Sequence, residues 1–89
     1  MEQLDLDSFA ALVRTGSVHR VFIMPYPEID GGGWYLDVDH KDTGMTRDFR
    51  TKRGTLRVFK TLEMVVKQLK ECGYGGQTAL VLRPEQGGK

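Results

Sequence analysis

Residues 46–60 set Arg47, Arg50, Lys52, Arg53, Arg57 and Lys60 against a single acid, Asp48. Arginine and lysine spaced along a β-hairpin reach phosphate oxygens, so the chemistry on offer is electrostatic and directed at a nucleic-acid backbone. Period-2 geometry puts Met45, Arg47 and Phe49 on one face of such a strand and Thr46, Asp48 and Arg50 on the other. With Phe49 in the core, Arg50 shares the open face with the turn residues Lys52 and Arg53. Arg57 joins them only if the register of the next strand permits. The candidate nucleic-acid contacts are therefore Arg47, Arg50, Lys52, Arg53 and Arg57. The competing reading is a solvated sheet edge, kept from pairing by its charges.

Other residue types offer less. Tyr26 and Tyr35 are candidate partner contacts, through base stacking or a grip on a peptide, whereas Trp34 in an alternating strand belongs in the core. Asp37, Asp39, His40 and Asp42, with His19, are ligand-type residues. The EF-hand glycine and glutamate are missing, however, and no Cys/His cluster has ligand spacing, so no metal is expected. Cys72 is the sole cysteine, which excludes an internal disulfide, and reads as an inert thiol. No nucleophile elbow or P-loop is present, and Gly31-Gly32-Gly33 lacks the strand-to-helix setting of a phosphate cradle. The expectation is a protein that is not an enzyme and uses no cofactor.

These side chains must be positioned by a small chain. At 89 residues there is room for one domain with a modest core. The formal net charge of +1 does not point to a nucleic-acid partner by itself; the uneven distribution does, with Glu2, Asp5 and Asp7 acidic at the start and the cations concentrated later. No secretory leader pattern and no apolar run of membrane-spanning length is seen, giving the expectation of a soluble, cytoplasmic, bacterial-style protein with no membrane contact.

Helical spacing of Leu6, Phe9, Ala10, Leu12 and Val13, with Asp5 or Asp7 as N-cap and Gly16 as stop, predicts a first helix. Residues 18–24 predict a strand ended by Pro25-Tyr26-Pro27. Residues 34–39 alternate, with Trp34, Leu36 and Val38 inward and Tyr35, Asp37 and Asp39 outward. A turn at Asp42-Thr43-Gly44 leads to a strand over 45–51, and residues 55–59 predict a short fourth strand. Thr61 caps a helix carried by Leu62, Val65, Val66 and Leu69 and closed at Gly73. Residues 78–82 read as a last strand whose partner the sequence leaves open. The order α-β-β-β-(β)-α-β implies an α+β fold: a mainly antiparallel sheet of three to five strands with two helices on one face. Residues 1–83 form a single domain, and 84–89 a flexible C-terminal tail.

Two resemblances attach to these residues. Residues 33–38, the Asp42-Thr43-Gly44 turn, the basic strand and Phe59-Lys60-Thr61-Leu62-Glu63 opening a helix resemble an integrase arm-type DNA-binding domain. The extra helix and strand before that run, and the strand after it, depart from that family. Over its whole length the chain is more similar to small ParC-type partition-associated proteins. That likeness is carried by Leu4-Asp5-Leu6-Asp7-Ser8-Phe9, Gly32-Gly33-Trp34, Arg57-Val58-Phe59-Lys60-Thr61-Leu62 and Leu69-Lys70-Glu71-Cys72-Gly73. It implies a non-enzymatic accessory protein of a plasmid or mobile element, binding DNA through the basic hairpin in partition or maintenance. Partition proteins, or a second copy as homodimer, are the other implied partners. The alternative is a protein-interaction module, a dimer or an adaptor or inhibitor of another protein, that does not touch nucleic acid.

Overall fold

The computed structural model describes residues 4–41 and 43–81. The predicted tail over 84–89, the domain boundary at 83, Leu82 of the predicted last strand, and Glu2 and Asp42 lie outside the described residues. Helix α1 (Leu6–Arg14) starts where Asp5 accepts a hydrogen bond from the Ser8 N–H at 2.9 Å, and Gly16 turns the chain out with φ +71. Strands β1 (Val18–Pro25) and β2 (Trp34–His40) pair antiparallel, with one register slip between Val18 and Arg20. Between them a single 3-10 turn, Glu28–Asp30, precedes three glycines that all adopt positive φ. Gly33 is the tightest of them. A Cβ there would lie 2.5 Å from the Phe59 carbonyl oxygen, so the close backbone approach requires glycine.

Strand β3 (Thr46–Asp48) pairs antiparallel with β2 and is shorter than its sequence predicts. The reason is competition for one edge. Phe59 exchanges both backbone hydrogen bonds with Trp34 at 2.7 Å, so the start of β2 is taken by residue 59 and its end by β3. The predicted fourth strand over 55–59 is reduced to two isolated bridges, Arg50–Leu56 and Trp34–Phe59. Helix α2 (Leu62–Glu71) is capped by Thr61 Oγ1, which accepts from the Met64 N–H, and ends before Gly73 at φ +82. Strand β4 (Gln77–Leu80) then lies parallel to β1, giving the order β3-β2-β1-β4.

The core lies on one side of this sheet. Val21 and Ile23 of β1 are in register with Val38 and Leu36 of β2, and all four are buried. Phe9 from α1, Val65 and Leu69 from α2, and Leu4, Phe49 and Phe59 complete a single cluster. Phe9 packs against Phe49 with ring centres 5.6 Å apart and against Tyr74 at 6.0 Å. The fold is thus α+β, with both helices over one face of the sheet and the other face uncovered among the described residues.

Candidate functional site

Burial of Phe49 decides where the basic hairpin puts its charges. Arg47 is in register with buried Val38, and Arg57 donates its N–H to the Phe49 carbonyl at 3.0 Å. Both therefore belong to the helix side. The Arg57 guanidinium lies 5.8 Å from the Phe49 ring centre, and the Nε atoms of Arg47 and Arg57 are buried without a hydrogen-bond partner. Arg50 falls on the open side, but its Nε and Nη2 bind both oxygens of Asp48 at 2.9 and 3.0 Å. Its Nη1 donates to the Gly54 carbonyl at 2.7 Å, fastening the turn. These bonds hold the Asp48 carboxyl below the usual carboxylate range. Lys52 reaches Asp7 of α1 at 2.9 Å, and that acid raises its ammonium. Arg53 alone of the five is exposed with no ion pair among the described residues. The structure does not bring the five together.

The uncovered face is not basic either. Along β2 it carries Tyr35, Asp37 and Asp39, beside Asp48 of β3 and Arg20, Phe22 and Met24 of β1. Asp37 is in register with Asp48 on one side and Phe22 on the other. Burial first, and the Asp48 charge second, push its carboxyl up. Arg20 Nε approaches Asp39 at 3.7 Å, too long for a hydrogen bond, while its guanidinium stacks over Phe22 at 5.4 Å. Tyr35 meets Tyr26 edge-to-face with centres 6.2 Å apart, so the two candidate contacts touch each other. Among the described residues this sheet face sets Asp37, Asp39 and Asp48 against Arg20 and Arg50, a balance that does not attract phosphate.

Neither histidine builds a site. His40 lies opposite Val18 with its Nδ1 buried and unpartnered, and His19 is exposed beside Arg20. No group of three His, Cys, Asp or Glu among the described residues is placed to hold a metal ion. Cys72 is half-buried beside Gln68, and burial pushes its thiol up, away from the reactive thiolate.

The remaining feature is the β4 edge. The Val81 N–H donates to Ile23 at 2.9 Å. Successive N–H groups of a strand alternate in direction, so Ala79 also faces β1, and the N–H and C=O groups of Thr78 and Leu80 point outward. Among the described residues nothing pairs with that outer side. Thr78 and Leu80 are in register with Val21 and Ile23, which places their side chains on the helix side. There a groove of about 170 Å³ runs between β4 and α2, lined by Ile23, Val66, Leu69, Tyr74 and Thr78, with Lys70 beside them. Tyr74 closes one end by donating its hydroxyl hydrogen to the Gln77 carbonyl. Val66 in this groove, and Leu80 on the same face of β4, are each 45% exposed, well above the core residues beneath them.

Helical spacing put Val66 in one apolar stripe with Leu62, Val65 and Leu69, and nothing in the sequence assigned β4 a role. The available signal was an excess of apolar residues on α2: Leu62, Met64, Val65, Val66 and Leu69 are more than one packing stripe can bury. A second signal was a final strand without a single charge. No known protein family, curated protein or solved structure matches the chain. No helix among the described residues is long and apolar enough to cross a membrane.

Proposed function

We propose that this chain is a protein-interaction module that accepts an extended polypeptide segment as a fifth strand along β4, without direct contact to nucleic acid. One observation carries the reading. Gln77-Thr78-Ala79-Leu80 offers outward backbone donors and acceptors beside an apolar groove, and none of its residues is charged. Strand addition draws affinity from main-chain hydrogen bonds and specificity from alternate side chains. The incoming segment therefore needs apolar residues at every second position, to lie beside Val66 and Leu80. The pairing of Arg50 with Asp48 and of Lys52 with Asp7 supports the same reading, since it neutralises two of the six hairpin cations. Its likeness to ParC-type proteins supports a place in plasmid or mobile-element maintenance, in the cytoplasm, as an adaptor.

Selection of a displayed library of linear peptides on the folded chain tests the module. Enriched peptides should alternate apolar and polar residues, and Thr78→Pro should abolish their binding. That substitution removes only an outward N–H, a position where an edge strand tolerates proline. Failure to enrich any peptide, or undiminished binding to Thr78→Pro, overturns the proposal. Salt-sensitive binding to duplex DNA that is lost in Arg53→Glu would return the site to the hairpin.

A further inference from the structure

We infer that the segment received at β4 is the β4 strand of a second copy, in a two-fold dimer that also joins the outer flanks of the α2 helices. This rests on the strand-addition reading above and names its occupant. Two independent features are self-complementary about the same point.

The first is the strand. With Thr78 and Leu80 facing outward, an antiparallel mate centred on Ala79 puts Thr78 opposite Leu80 of the second copy, and Leu80 opposite its Thr78. Each of these is a hydrogen-bonded pair that exchanges both N–H···O bonds. The register keeps all four side chains on the helix side, so Leu80 of the second copy comes to rest beside Thr78 at the groove.

The second feature is charge. The outer flank of α2 presents Glu63, Val66, Lys67, Lys70 and Glu71. A two-fold axis reverses the helix, so a centre near Val66 and Lys67 sets Glu63 against Lys70 of the second copy and Lys70 against its Glu63. A parallel arrangement would oppose like charges.

The two centres coincide. Val66, Leu69 and Lys70 line the groove with Thr78, and the chain reverses between α2 and β4. One strand residue onward, about 3.3 Å, corresponds to roughly two helix residues backward at 1.5 Å each. Ala79 is therefore level with about Val66 and Lys67, at the midpoint between Glu63 and Lys70. An isologous interface requires this agreement, and an unrelated peptide partner would not. The dimer covers Val66 and Leu80 and extends the sheet continuously through both copies.

Light scattering on the full chain over a dilution series is the test, with circular dichroism to show that each variant folds. The expected result is a concentration-dependent dimer. Lys70→Glu and Glu63→Lys each weaken it by about tenfold, two opposed pairs being disturbed at once. The double exchange Glu63→Lys with Lys70→Glu restores it, and Thr78→Pro is monomeric. A monomer at every concentration overturns the second copy as occupant; if displayed peptides still bind at Thr78, the strand-addition reading survives. If peptides fail as well, both are overturned. A dimer that ignores the charge exchanges, or is not rescued by the double exchange, overturns the two-fold arrangement.

Discussion

The two edges of the sheet are built on opposite plans. The β3 edge is three residues long and charged at Arg47 and Asp48, and the chain just after it is covered: the Arg50 N–H is taken by the Leu4 carbonyl at 2.8 Å and the Arg57 N–H by that of Phe49. Shortness, charge and cover are the ordinary defences of a strand edge. The β4 edge, at four residues also short, has neither charge nor cover among the described residues, and an apolar groove lies next to it. The charges that first draw the eye thus belong to the edge that is closed. The edge that is open is the one without charge.

If the β3 side is structural and the β4 side is spare, truncation should separate them. Phe49→Ala removes a buried ring that contacts Phe9 and Arg57. It should cost about 3–5 kcal/mol in urea unfolding. Gly33→Ala, also on the β3 side, forces a side chain into φ +106 against the Phe59 carbonyl. A loss of about 1–3 kcal/mol is expected there, measured in the same way. At β4 the pattern inverts. Leu80→Asp should change the stability of the isolated chain by no more than about 0.5 kcal/mol while abolishing association seen by light scattering. A large stability loss at Leu80 would mean that β4 is as structural as β3.

Asp37→Asn probes the uncovered face between the edges. The Asp37 carboxyl is raised in the folded chain, so its ionisation disfavours folding. That penalty is absent below its ordinary titration range and grows as pH rises from there through the raised folded value. The asparagine variant should be more stable than the parent by about 0.2–1 kcal/mol at neutral pH, the size of a like-charge cross-strand pair. The gain should vanish near pH 3. Asp48 runs the other way: Arg50 lowers its carboxyl, so its stabilising contribution is lost as pH falls through that lowered value. The smallest effect is expected at the hairpin tip, where Arg53→Glu should leave both stability and mobility on duplex DNA unchanged. A salt-dependent DNA shift lost in that variant would restore the charged edge as the working one.

Much of the fold was legible because local physics enforces it. Asp5 and Thr61 cap their helices, Gly16 and Gly73 end them, and Leu36 and Val38 alternate inward as period 2 demands. The optional strand over 55–59 is present only as two bridges, because Phe59 and β3 share one side of β2 and neither can extend fully. Val66 is left half-exposed because helical spacing identifies an apolar face without fixing how wide the sheet beneath it is.

By itself, then, the sequence determined the elements, their caps, and the split of β3 into a core side and an open side, since these depend on neighbours a few residues apart. Only the tertiary structure decided that Arg50 is spent on Asp48, that Lys52 is spent on Asp7, and that Arg57 turns toward Phe49. It alone placed β4 beside β1 with its outer backbone groups unpaired among the described residues. Strand order and ion pairing are contacts between residues far apart in the chain, settled by how the whole molecule closes around its core and not by any local pattern.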